Sequence, residues 1–169
     1  MPKRNPTRLE NFDYNTDGAY FITICTDKRR QILSHIVGDG VYDIPQTNLT
    51  VYGKIVQKHI EKMSSQYDNI HIDNYVIMPN HIHMIIKITE QFENRNILNG
   101  SSQAPTPTNA IIPKFVSLFK RYCNRECGKN IWQRSFHDHI IRGEKDYRKI
   151  YEYISSNPSL WQEDKFYSD

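Results

Sequence analysis

The sequence predicts an α+β fold of the split βαβ, ferredoxin-like kind: an antiparallel sheet with helices on one face and a further helix at the C-terminal end. Three observations predict it. Short runs rich in β-branched and aromatic residues alternate with longer stretches of helical period, in the order β-α-β-β-α-β and then a helix. The length, 169 residues, suits one domain around one core. A Pro79-Asn80 pair splits the middle strands and asks for a tight turn there.

Taken in order, residues 1–17 read as an N-terminal arm of a single domain spanning residues 1–169. Residues 19–25 (Ala-Tyr-Phe-Ile-Thr-Ile-Cys) form a strand. Residues 38–45 suggest a small hairpin or loop. Residues 51–63 place Val51, Ile55, His59 and Met63, with Tyr52, Val56 and Ile60, on one helical stripe. Strands follow at 70–78 and 81–88. Residues 91–110 are polar, with Gly100-Ser101-Ser102 and two prolines, and read as a flexible loop. Phe115, Leu118, Phe119 and Tyr122 give 112–127 a helical period, and 135–142 is the fourth strand. Asp146 can cap a last helix that Pro158 ends.

Composition narrows the class. Hydrophobic residues make up 38% and charged residues 24%, which describes a globular chain. No apolar run is long enough to span a bilayer, and the first residues lack the apolar stretch of a signal peptide. Three cysteines give no disulfide framework, so a cytoplasmic location is expected. The net charge of +3 hides an uneven distribution: residues 113–149 hold ten basic against four acidic residues, +6, and the remainder twelve against fifteen, −3. The basic stretch, with Lys28-Arg29-Arg30, reads either as a solvated helix face or as a polyanion surface. In the second case the candidate DNA contacts are Lys28, Arg29, Arg30, Lys114, Lys120, Arg121, Arg134, Arg142 and Arg148.

His81-Ile82-His83 is the sharpest local signal. Residues i and i+2 of a strand share a face, so two imidazoles sit side by side where Ile82, Met84, Ile86 and Ile88 turn to the core. Such a pair can bind one divalent ion if a third ligand arrives from elsewhere; otherwise it is two partly exposed histidines on a free sheet face. His137 and His139 repeat the spacing, so a four-histidine site is conceivable. Cys123 and Cys127 read as small buried residues.

The last helix carries Tyr147, Ile150, Tyr151 and Ile154 at i, i+3, i+4 and i+7, a buried stripe. Tyr153 falls at its flank, with Asn157 one turn on along the same side. Tyr153 is then either a snorkelling surface tyrosine or a nucleophile, which its phenol can be only when a cation or base activates it.

Together these residues resemble a family. Tyr75-Val76-Ile77-Met78-Pro79-Asn80-His81-Ile82-His83 is similar to the signature of HUH endonucleases, two histidines flanking one hydrophobic residue. The segment from Trp132 to Arg142, followed by the Tyr153 helix and Asn157-Pro158, resembles the single-tyrosine branch, and within it the REP-associated tyrosine transposases. The resemblance runs from about Gly18 to Tyr167. It implies a single-strand DNA endonuclease and transposase that links tyrosine to a 5′-phosphate and releases a 3′-OH. Carried over, Tyr153 is the nucleophile, His81, His83 and Asn157 bind Mg²⁺ or Mn²⁺, and the partner is single-stranded or hairpin DNA, with the protein acting as a monomer or a homodimer.

Two other readings compete. One is a non-catalytic RRM-like module that holds single-stranded nucleic acid on sheet aromatics such as Tyr20 and Tyr75. The other is a zinc hydrolase built on His81, His83, His137 and His139.

Overall fold

A computed structural model describes residues 18–38, 44–89 and 111–167. The expected arm (1–17) and loop (91–110) lie outside the described residues, as does the middle of the expected 38–45 hairpin.

Alternation along β1 (Gly18–Cys25) sends Tyr20, Ile22 and Ile24 to one face and Phe21, Thr23 and Cys25 to the other. β1 pairs antiparallel with both β5 (His81–Ile88) and β6 (His137–Ile141), and β4 (Ile70–Ile77) pairs antiparallel with β5. The resulting order, β4-β5-β1-β6, is that of a split βαβ sheet. A second small sheet, β2 (Ser34–Val37) with β3 (Gln46–Leu49), flanks the 38–45 stretch and was not expected as strands.

Helices α1 (Val51–Gln66) and α2 (Ile111–Cys127) cover one face. Val56, Ile60 and Met63 of α1 and Phe115, Val116 and Phe119 of α2 pack with Tyr20, Ile22, Ile24, Ile82, Met84 and Ile86 in the main core. Tyr75 packs against the same core, so neither it nor Tyr20 offers a free ring for stacking.

The opposite face is not free, contrary to expectation. Helix α3 (Gly143–Ser156) lays Ile150 and Ile154 on Val76, Met78, Ile85 and Ile141, and a 3₁₀ segment (Asn157–Glu163) adds Trp161. Burying these apolar side chains favours closure of the face. α3 starts three residues earlier than its expected cap: the Asp146 carboxylate reaches back and accepts from the backbone N–H of Arg142 at 3.0 Å. Tyr151, expected in the buried stripe, is 43% exposed, because α3 rests on the sheet through the Ile150 and Ile154 side.

The turn between β4 and β5 is pinned from several directions. The Met78 N–H donates to the His81 carbonyl, Leu33 N–H to the Pro79 carbonyl, and both the N–H and hydroxyl of Thr26 to the Asn80 carbonyl. The start of β5 is thereby fixed before any ligand arrives.

Candidate active site

His81 and His83 stand on the α3 side of β5, opposite Cys25 and Thr23 of β1. Both are fully buried. Their Nε2 atoms lie 3.0 Å apart. The outer nitrogens are occupied: His83 Nδ1 lies 2.8 Å from Thr23 Oγ1, and His81 Nδ1 lies 2.8 Å from Asn80 Oδ1. Because the Asn80 amide nitrogen donates to the Phe166 carbonyl at 2.8 Å, its oxygen must accept, which assigns the His81 proton to Nδ1. The His81 Nε2 lone pair is left facing His83, as metal-ligating histidines held through their other nitrogen are. Burial pulls both imidazole pKa values below the ordinary histidine range, and for His83 the neighbouring His81 adds to it. Both are therefore neutral at pH 7, the form that binds metal.

Tyr153 projects from α3 into this pocket. Its Oη lies 3.4 Å from His83 Nε2 and donates to Asp164 Oδ2 at 2.9 Å. Burial, and then the Asp164 carboxylate, hold the phenol pKa well above its usual value. Asn157, one turn on, donates its amide N–H to the same Asp164 oxygen at 2.9 Å, and its own Oδ1 is buried with no hydrogen-bond partner. Asp164 Oδ1 accepts from the Phe166 backbone N–H. The Phe166 ring lies over the pair, centred 4.9 Å from His81 and 5.7 Å from His83.

Asp164 was not expected from the sequence. It follows the 3₁₀ segment, where no helical or strand period points at the sheet, and an acid after Asn157-Pro158 is a signal visible only in hindsight. Among the described residues, His81, His83 and Asp164 are the histidine, cysteine and acidic side chains whose ligand atoms converge, all within 4.8 Å. Two neutral imidazoles and a carboxylate make a donor set that fits a divalent cation.

The four-histidine arrangement does not form. His137 and His139 share the face, opposite Thr23 and Phe21, but His139 Nε2 bonds the Asp146 carboxylate at 2.9 Å and His137 lies against Phe166. The cysteines are unbridged.

The basic residues fall in separate places. Lys28 and Arg29 occupy the left-handed region, φ 54° and 53°, a conformation uncommon for non-glycine residues and seen here in two consecutive ones. That turn carries the Arg29 guanidinium over the Phe166 ring, 5.3 Å from its centre, beside the histidine pair. Arg30 pairs with Asp27, and Arg148 with Glu144. Lys114, Arg121 and Arg134 lie on α2 and the segment after it, whereas Arg142 and Arg148 lie at α3, so the +6 stretch is split between opposite faces of the sheet. Lys120 is turned inward: its ammonium donates to the carbonyls of Gln133, Arg134 and Ser135. Burial lowers its pKa to about 8, which still leaves it charged at pH 7.

The fold is that of a tyrosine transposase. With the structure of the REP-associated tyrosine transposase bound to a REP hairpin it aligns at a TM-score of 0.60, across 94% of this chain and 77% of that one, at 24% identity. The chain is 37% identical over 175 residues to an uncharacterised protein of Haemophilus influenzae, covering 98% of this chain and 94% of that protein, and the two belong to one family. It is a homologue of the REP-associated tyrosine transposases: with that of Escherichia coli K12 it shares 33% identity over 52% of its own length. The chain spans 43% of the length of that relative. No protein-family model matches. Among the described residues no helix is long and apolar enough to cross a membrane.

Proposed function

We propose that the chain is a metal-dependent single-strand DNA endonuclease and transposase of the HUH type, which cleaves and rejoins hairpin DNA through a 5′-phosphotyrosine. The observation that carries this reading is the 3.4 Å approach of Tyr153 Oη to His83 Nε2, which brings nucleophile and histidine pair together within one chain. The transposase relatives support the reaction class, and the hairpin bound to the structural neighbour supports the substrate.

In this mechanism Tyr153 Oη attacks the scissile phosphorus. The bond from phosphorus to the 3′ oxygen breaks, the 5′-phosphate stays on tyrosine, and the departing 3′ oxygen gains the proton that balances the one lost by the phenol. The hydrogen bond from Tyr153 Oη to Asp164 gives the phenol proton a path away from the attacking oxygen. His81, His83 and Asn157, joined by Asp164, would hold Mg²⁺ or Mn²⁺. When bound, the ion supplies Lewis-acid polarisation and orientation of the phosphate. Phosphotyrosine retains the energy of the broken linkage, so a DNA 3′-OH can reverse the step and transfer the strand. Because these residues meet in one chain, the site supports action as a monomer.

The test is a single-stranded oligonucleotide with a short hairpin, incubated with Mn²⁺ and run on a denaturing gel. Wild-type protein is expected to form a covalent adduct and Tyr153→Phe none. Equal products from both proteins, or no adduct with any divalent ion, would sink the reading. Tight hairpin binding without an adduct would favour the RRM-like binding module instead.

A further inference from the structure

The chain leaves β1 through a turn whose backbone does not suit its residues. Arg30 N–H donates to the Asp27 carbonyl at 3.3 Å and closes a β-turn with Lys28 and Arg29 at its centre. Both central residues have positive φ, 54° and 53°, as a type I′ turn requires. Asn-Gly meets that requirement with little strain; two long cationic side chains do not. The conformation persists because its surroundings over-determine it. Asp27 N–H donates to the Ile131 carbonyl at 2.8 Å, and Thr26 N–H to the Asn80 carbonyl at 2.9 Å. The hydroxyl of the buried Thr26 reaches the Arg30 carbonyl at 2.8 Å. Asn80 precedes His81, so the turn and the histidine pair share one anchor. Backbone preference does not account for Lys28-Arg29 at this position, which leaves the work of the side chains.

The turn carries the Arg29 guanidinium to the mouth of the candidate active site. It lies 5.3 Å from the centre of the Phe166 ring, and Nη1 donates to the Lys165 carbonyl at 3.4 Å. The same ring is centred 4.9 Å from His81 and 5.7 Å from His83, both fully buried. A phosphate that reaches the two imidazoles has to displace that ring, and Arg29 then faces the space it leaves. Lys165 also lies over the ring, 4.8 Å from its centre, but it is the chain neighbour of Phe166 and moves with it. Arg29 belongs to the anchored turn and stays.

We infer that Arg29 is a catalytic residue that holds a non-bridging oxygen of the scissile phosphate, and that the turn is kept in strain to place it there. As Tyr153 Oη bonds to phosphorus and the bond to the 3′ oxygen breaks, negative charge gathers on the non-bridging oxygens. The guanidinium, always protonated, donates to one of them. It exchanges no proton, so the phenol's loss still balances the 3′ oxygen's gain. This role rests on the single-strand cleavage reading above and adds a residue to it.

The experiment has two arms. In the first, Lys28→Asn with Arg29→Gly is expected to raise the melting temperature in EDTA by about 2–4 °C, since the turn is relieved. The same double variant should slow single-turnover adduct formation with Mn²⁺ about a hundredfold, the usual scale for losing one donor to the transition state. Arg29→Gln should slow it as far with no gain in stability. Lys62→Gln, an exposed change on α1, is the control and should alter neither. A double variant that is more stable and equally fast would overturn the inference. The second arm is fluorescence anisotropy in EDTA, where no cleavage occurs. The probes are hairpin oligonucleotides with single-stranded ends, each carrying one uncharged methylphosphonate at a different linkage. Neutralising the contacted linkage should cost wild type about tenfold in affinity and cost Arg29→Gln nothing. The coupled linkage is expected to be the one that becomes joined to tyrosine. Coupling at another linkage, or at none while an adduct forms, defeats the role of Arg29 alone. Coupling without an adduct under any divalent ion leaves Arg29 as a phosphate contact and defeats the nuclease reading alone. Neither coupling nor adduct defeats both.

Discussion

The imidazoles of His81 and His83 are fully buried, and each has one nitrogen engaged by a neighbouring polar side chain. Burial sets their folded pKa values below the roughly 6.5 of an unfolded chain, so between those values the unfolded state binds more protons and stability rises with pH. Their contribution is complete above about pH 6.5 and is lost as pH falls from there toward the folded values. For the metal-free protein, the urea midpoint should be nearly level from pH 8 to 7 and drop steadily below about 6.5. His83→Gln, which removes one titrating ring, should flatten that drop; a wild-type midpoint unchanged down to pH 5 would contradict the neutral, buried assignment. Acid should also weaken metal binding over the same window, since a protonated imidazole has no lone pair to give.

Helix α1 begins in a space with no room for a side chain at its third residue. Thr50 caps it, accepting from Gly53 N–H at 3.2 Å, and its own N–H donates to the Leu33 carbonyl. A Cβ on Gly53 would collide with that same Leu33 carbonyl oxygen. In an open helix, Gly→Ala gains about 1 kcal/mol; here Gly53→Ala should lose about 1–3 kcal/mol, measured by urea unfolding, because the backbone must shift to admit the methyl. Leu33 N–H in turn holds the Pro79 carbonyl beside His81, so the clash acts on a strut of the site. What the sequence reveals at this scale follows from periodicity. The strands of the main sheet and all three helices announce themselves by period 2 or 3.6, and the i, i+2 rule puts both histidines on one face. Strands β2 and β3 do not, because four residues with partly exposed side chains carry too little alternation. Nor do the closed face and Asp164, since both depend on the C-terminal segment folding back through a 3₁₀ turn, a tertiary event without a local period.

Across the whole molecule, the candidate ligands come from parts far apart in the chain: His81 and His83 from the middle of the sheet, Asn157 and Asp164 from the segment that closes over it. A cation bound there would tie the C-terminal segment to the sheet and stabilise only the folded state. At a hundred times its dissociation constant, Mn²⁺ adds about 2.7 kcal/mol, which for a chain of this size raises the melting temperature by about 5–10 °C. Differential scanning fluorimetry with and without EDTA should show that shift for wild type and also for Tyr153→Phe, since the phenol is not among the ligands. His81→Ala should lose it. Asp164→Asn should lose most of it, because the one anionic donor among the described convergent groups is gone. If His81→Ala keeps the full shift, the ion binds elsewhere and the histidine pair is structural. If Asp164→Asn keeps it while Asn157→Ala does not, the amide oxygen and not the carboxylate completes the site.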